Sequence, residues 1–302
     1  MQQAFEELQR VIEAALLSHL PQCRHQGAKT LDNAIHYAMF PGGKRLRPML
    51  AMMGARIFTD EHRSALGAAC AVEYIHCSSL IFDDLPCMDD AAIRRGIPCV
   101  HKVYSEEVAW LAGIALLNQA YAIFGKVPAL IAEACYCIGT DGMIGGQALD
   151  LAPHNGDEQN LLQRSRDLVE RYKKTSTMMR LSLTAGALAL GVSASEVKPL
   201  GIAGMALGEA YQIGDDLLDV RRSSAATGKP AAQDQRHHRP SAGRLDENAC
   251  LDELTSLVAS ARETLKSAYG ARAGALLLSV DTIFNAQLAE ASQVSGATLS
   301  RC

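Results

Sequence analysis

The sequence predicts an all-α fold, on three observations. Apolar residues recur at helical spacing from the start of the chain, as at Phe5, Leu8, Ile12, Ala15 and Leu16. Alternating strand patterns joined by hairpin turns are absent. Aromatic residues make up only 5% of the chain while Ala and Leu are abundant, a composition that favours helix.

The periodicity predicts helices over 3–19, 29–39, 45–58, 62–84, 104–124, 127–138, 140–151, 158–190, 195–221, 249–268 and 273–293. Glycine and proline set most of the joins. Pro41-Gly42-Gly43 separates the second helix from the third, and Gly96-Ile97-Pro98 closes the segment after the fourth. Gly156 precedes the helix over 158–190, and Gly191 ends it. Gly228-Lys229-Pro230 lies in a stretch rich in Arg, His, Ser, Ala, Gly and Gln, read as a flexible loop over 222–248. Loops of that length are usually functional or disordered. The whole chain, 1–302, reads as one domain.

With 48% apolar residues the chain can build a substantial core, and its net charge of −4 gives nucleic-acid binding no electrostatic support. Its nine cysteines show no CxxC spacing. An odd number in a large chain suggests reduced thiols and a cytoplasmic address. The amphipathic start lacks the basic residues and apolar run of a signal peptide. No charge-free apolar run is long enough to span a membrane; the nearest, Leu181 to Val192, is too short.

Two acidic motifs, about 130 residues apart, each end a strongly apolar run. The first is Asp83-Asp84-Leu85-Pro86-Cys87-Met88-Asp89-Asp90, and the second is Asp215-Asp216-Leu217-Leu218-Asp219. Asp215 and Asp219 share one helical face. On a straight helix Asp83 and Asp89 would lie roughly 120° apart. Pro86 disfavours helix at Leu85, so the helix is expected to end near Asp84 and turn back, bringing Asp89 toward Asp83. Crowded carboxylates at the end of a buried helix are costly without partners. Hard oxygen donors in a sparse cluster suit Mg²⁺, which completes its shell with water and phosphate. Basic residues support a phosphate ligand. Arg94 and Arg95 follow the first motif, and Gly43, Lys44 and Arg47 stand at a helix start, where free N–H groups attract anions.

These motifs, GGKRLRP, IHCSSLIFDDLPCMDD, RRG, GGQALDL, KKT and YQIGDDLLD in that order, resemble the trans-isoprenyl diphosphate synthases. Within that family the chain is similar to the bacterial geranylgeranyl and farnesyl diphosphate synthases, from about Phe5 to Pro230. The resemblance implies a single all-α domain of antiparallel helices around a deep cavity, usually a homodimer. It implies Mg²⁺, three ions per site, with Asp83, Asp89 and Asp215 as leading ligands supported by Asp84, Asp216 and Asp219. It assigns isopentenyl diphosphate to Lys44, Arg47, His76 and Arg95. The allylic diphosphate (dimethylallyl, geranyl or farnesyl) goes to Arg94, Lys174 and Lys229. Thr175 and Gln212 line the reacting carbons, and Gln147 and Asp150 match the Gly-Gln-x-x-Asp pattern. After Lys229 the chain departs from the family pattern, and Arg239 replaces a lysine.

The expected reaction is head-to-tail condensation giving geranylgeranyl diphosphate, with farnesyl diphosphate as the alternative. A class I terpene cyclase is disfavoured by Asp215-Asp216-x-x-Asp219 and the Lys44/Arg47 pair. A non-catalytic subunit is disfavoured by the intact aspartates. Product length is read from the helix ahead of Asp83. Fifteen-carbon synthases of the family tend to carry an aromatic where this chain has Ser78. Serine there is expected to leave room below Ser79, with Tyr74 and Ile75 as the next candidate floor about a turn deeper.

Overall fold

A computed structural model describes residues 2–40, 42–60, 63–151, 161–225 and 247–299. Its helices, in chain order, are α1 (Gln2–His19), α2 (Lys29–Met39), α3 (Leu46–Arg56), α4 (Leu66–Asp83), α5 (Val100–Val103), α6 (Glu106–Phe124), α7 (Pro128–Ile138), α8 (Met143–Leu151), α9 (Leu161–Ala189), α10 (Ala194–Ala225), α11 (Glu247–Tyr269) and α12 (Gly274–Leu299). The all-α expectation holds. Most of the loop expected over 222–248 lies outside the described residues. The fold divides into two compact units. One comprises Met1–Ala134 and Leu181–Val197, the other Cys135–Arg180 and Lys198–Cys302.

In the first unit α4 packs against α6, α3 and α1. Its sequence is apolar on nearly every face, as a helix surrounded by others must be. Residues from Ala68 to Ile75 are buried, and Cys77, Ser78 and Ile81 follow. Full burial of a side chain such as Ile75 is worth about 1.5–3 kcal/mol. Alpha4 and α6 approach closely where Gly113 leaves a gap; a Cβ there would fall 2.6 Å from the Phe82 ring.

The helix expected over 104–124 is found as α6, Glu106–Phe124, and a separate short helix, α5, precedes it. Ser105 is fully extended and its side chain accepts a hydrogen bond from the Val108 N–H, an N-cap that starts a new helix. No alternating pattern in the sequence marks one minimal hairpin, in which Ile93–Arg94 pairs antiparallel with Ile97–Pro98. Arg95 and Gly96 between them have φ of 53° and 81°. Two left-handed residues make the turn that matches strand twist. Two-residue strands are too short to show alternation in a sequence.

Length and composition alone would also let two helical segments cross a membrane, Arg63–Asp83 and Glu106–Phe124. Neither is a charge-free run: Glu73 stands in the middle of the first, and Glu106 and Glu107 open the second. In the first, 67% of the apolar window is buried inside the protein; in the second, 33%.

The second unit holds α8, α11, α12 and the adjoining parts of α9 and α10. Gly208 of α10 lies against the backbone of Ser176 on α9. That close approach brings Thr175 beside Gln212.

Candidate active site

The first acidic motif is built by the end of α4. The helix stops at Asp83, with Asp84 as its cap. The chain then reverses through a short series of backbone hydrogen bonds. Met88 donates to the Leu85 carbonyl at 2.9 Å, Asp89 to Asp83 at 2.9 Å, and Ala91 to Asp84 at 3.2 Å. Asp90 takes a left-handed φ of 44° to complete the reversal. The hairpin that follows returns Arg94 to the same place. Its Nε donates to both carboxylate oxygens of Asp84, at 2.9 and 3.3 Å. Asp84 is only 5% exposed. Arg94 and Asp84, assigned by resemblance to different ligands, are thus paired with each other.

The basic residues gather in the same unit. Arg45 has a φ of 50° and is the N-cap of α3. It is buried, and its guanidinium donates to Glu13 at 2.7 and 3.1 Å, to Glu73 at 2.8 Å and to the Met39 carbonyl at 2.7 Å. A Cβ on Gly42 would overlap that guanidinium. This anchor fixes the backbone between Arg47 and the exposed Lys44. Arg47 Nη1 donates to His76 Nε2 at 3.3 Å. A guanidinium has only donors, so His76 carries its proton on Nδ1. Burial, then Arg47, Arg95, Arg94 and Arg45, push the imidazole well below its ordinary pKa, so it is neutral. The Arg95 guanidinium lies about 3.2 Å from where a Gly43 side chain would begin. Gly43, Arg47, His76 and Arg95 therefore share one neighbourhood with surplus positive charge.

Ser78 is 2% exposed, and its Oγ donates to the Gly113 carbonyl of α6 at 2.9 Å. The side chain turns onto a neighbouring helix rather than into open space. Ser79 donates to the His76 carbonyl of its own helix. Tyr74 and Ile75 are fully buried, and the Tyr74 hydroxyl donates to the Leu16 carbonyl at 2.7 Å.

The second motif is held within the other unit by a polar network. Gln212 Nε2 donates to Asp216 Oδ1 at 2.9 Å, and the Tyr172 hydroxyl to Oδ2 at 3.2 Å. Thr175 Oγ1 donates to Gln212 Oε1 at 2.8 Å. Lys174 Nζ donates to Asp150 at 2.9 Å and to Gln147 at 3.1 Å. Gln287 of α12 donates from Nε2 to Asp215 Oδ1 at 3.0 Å and to the Tyr211 carbonyl at 3.0 Å. Neither Tyr172 nor Gln287 was foreseen from sequence, and no local motif marks them. The side chain of Asp219, together with Lys229 and Arg239, lies outside the described residues.

Among the described residues no group of three or more His, Cys, Asp or Glu side chains is placed to hold a metal ion. The donor chemistry still fits a hard cation. Mg²⁺ is commonly held by one or two carboxylates with water and substrate phosphate, without an all-protein cage. Asp83 and Asp89 in the first unit, and Asp215 in the second, each offer a carboxylate of that chemistry.

Residues 28–270 match the Polyprenyl synthetase family. The chain is 36% identical over 215 residues to geranylgeranyl pyrophosphate synthase 9, chloroplastic, of Arabidopsis thaliana, covering 68% of this chain and 59% of that protein. It therefore spans less than two thirds of that plant relative. Against the farnesyl diphosphate synthase of Geobacillus stearothermophilus it is 34% identical over 249 residues, 79% of this chain and 82% of the other. Among solved structures, an apo FPP/GFPP synthase from Zymomonas mobilis matches with a TM-score of 0.77 at 30% identity, covering 93% and 98% of the two chains. A Helicobacter pylori geranyltransferase, complexed with magnesium and isoprenyl diphosphate, matches at 0.75 and 27% identity, covering 94% and 97%.

Proposed function

Because this chain belongs to the polyprenyl synthetase family, we propose that it is a prenyltransferase that condenses isopentenyl diphosphate head to tail with an allylic diphosphate. The observation that carries the reading is the basic neighbourhood of Gly43, Arg47, His76 and Arg95, lying in the same unit as the acidic turn at Asp83–Asp89. Lys44, Arg47 and Arg95 hold isopentenyl diphosphate by charge. Neutral His76 donates from Nδ1, at no cost in added charge. Arg94, Lys174 and Lys229 serve the allylic diphosphate. For that, Arg94 and Lys174 exchange their carboxylate partners, Asp84 and Asp150, for phosphate oxygens.

Asp83, Asp89 and Asp215 would hold Mg²⁺, which when bound supplies charge neutralisation to the departing diphosphate. A magnesium-containing complex of the similar H. pylori geranyltransferase supports that choice of metal. As the allylic C–O bond breaks, the diphosphate leaves with the electron pair. The double bond of isopentenyl diphosphate attacks the allylic cation, and the proton then lost goes to the departed diphosphate. Thr175 and Gln212, bonded to each other, line the reacting carbons, and apolar walls exclude water from the cation. No Ser, Cys or His nucleophile is needed.

We assign geranylgeranyl diphosphate as product because position 78 carries serine. The alternative product, farnesyl diphosphate, is favoured by the broader coverage of the Geobacillus relative. An exposed apolar stripe on α6, Trp110, Leu111 and Ile114, supports a homodimer. The test is to incubate the purified chain with isopentenyl diphosphate, Mg²⁺ and dimethylallyl, geranyl or farnesyl diphosphate, and to separate the products by chain length. Twenty-carbon diphosphate is expected; no diphosphate release with any primer overturns the reading.

A further inference from the structure

We propose that Gln287 of α12 is a positioning residue for the Asp215 carboxylate, holding it oriented toward the bound cation. The inference rests on the reading of Asp215 as a metal ligand. Gln287 lies beyond the stretch that matches the family, which ends at residue 270.

Its carboxamide is buried at 9% exposure and makes two directed contacts. Nε2 donates at 3.0 Å to Asp215 Oδ1 and at 3.0 Å to the Tyr211 carbonyl. Both partners are acceptors, so the amide nitrogen must face them and the group cannot be flipped. The other end of the amide, Oε1, is buried without a hydrogen-bond partner among the described residues. A leucine here would bury a side chain of similar size and strand no oxygen. Packing therefore does not explain a glutamine at this position; its donor does.

The donor is also neutral. A lysine or arginine bonded to Asp215 would cancel the charge that draws a cation. A carboxamide fixes the carboxylate and leaves its negative charge intact. Partners behind a metal ligand act in this way, and losing one typically weakens metal binding or activity by about 10–100-fold. Gly214, just before Asp215, makes room for the amide: a Cβ there would overlap the Gln287 carboxamide.

The test uses Mn²⁺, titrated into the full chain with inorganic diphosphate and followed by the EPR signal of free Mn²⁺. The proteins compared are wild type, Gln287→Leu, Gly214→Ala and Asp215→Ala, with thermal unfolding run alongside. Gln287→Leu and Gly214→Ala should each weaken Mn²⁺ binding on the order of tenfold, and the Mg²⁺ needed for half-maximal turnover should rise in parallel. Gly214→Ala reaches the same contact by displacing the amide, so it decides the matter if Gln287→Leu does not fold. Unchanged Mn²⁺ affinity in both, with affinity lost in Asp215→Ala, overturns the inference and leaves Asp215 as a ligand. Unchanged affinity in Asp215→Ala overturns that assignment, and the inference with it.

Discussion

The backbone N–H of Asp89 donates to the carbonyl of Asp83 at 2.9 Å, closing a turn that begins where α4 ends. On a continuous helix these residues would face different ways; the turn puts them side by side. If both then serve one cation site, neither should be dispensable. Asp83→Ala and Asp89→Ala are each expected to lower kcat by more than the roughly 100-fold that loss of an outer partner costs. A chelator should abolish turnover and Mg²⁺ restore it. Steady-state rates checked against unfolding midpoints decide this, and full activity in excess chelator would sink the metal mechanism.

Arg45 supplies a second prediction. It is 2% exposed and satisfies Glu73, also 2% exposed, from below the glycine turn. Removing one partner of a buried pair strands the other charge and costs about 3–5 kcal/mol. Arg45→Met should lower the unfolding free energy by that amount in urea titrations. Arg45→Lys should recover little, since an ammonium cannot reproduce the fork to Glu13. A loss under about 1 kcal/mol for Arg45→Met would show that the pair does not hold this segment. Lys44→Ala, on the exposed side of the same turn, should leave stability near wild type and raise KM for isopentenyl diphosphate.

His76 gives the pH dependence. Burial and the facing Arg47, Arg95, Arg94 and Arg45 lower its folded pKa well below the ordinary 6.5. As pH falls through 6.5 the unfolded chain takes a proton that the folded chain refuses. Stability is therefore full above 6.5 and declines below it, by at most about 1.4 kcal/mol per pH unit until the folded pKa is reached. His76→Gln should remove this part of the slope when unfolding is measured between about pH 8 and 5. Inorganic diphosphate, by offsetting the surrounding arginines, should shrink it in the wild type. An unchanged slope in His76→Gln would place the acid sensitivity elsewhere.

What the sequence made legible follows the range of the interactions involved. The second helix was expected over 29–39 and is found at Lys29–Met39, because its stop is local: the Pro41-Gly42-Gly43 break. The reversal after Asp84 was readable from Pro86, which acts on its immediate neighbour. The Arg95-Gly96 hairpin was missed because each strand has two residues. Tyr172 and Gln287 were missed because their carboxylates lie 44 and 72 residues away in the chain, and only packed helices bring them together. Ser78 was located on the right helix, but its contact with α6 depends on Gly113, which no spacing along α4 reports.

That contact sharpens the question of product length. Ser78 donates to the Gly113 carbonyl at 2.9 Å, and the Phe82 ring occupies the space that a Gly113 side chain would take. An aromatic residue at 78 therefore has no free volume to fill. It must push against α6 or turn along α4 into the space proposed for the growing chain. Either route costs about 1–3 kcal/mol of stability by overpacking. Only the second route shortens the product. Ser78→Phe should accordingly lose that stability and release fifteen-carbon in place of twenty-carbon diphosphate. Ser78→Ala keeps the volume and loses one hydrogen bond, worth about 1 kcal/mol, so its product should match the wild type. Chromatography of the products beside urea unfolding of both variants separates the effects. A destabilised Ser78→Phe that still makes twenty carbons would show that the ring goes into α6 and that another side chain sets the floor. A wild type that stops at fifteen carbons would refute the assignment from Ser78 outright.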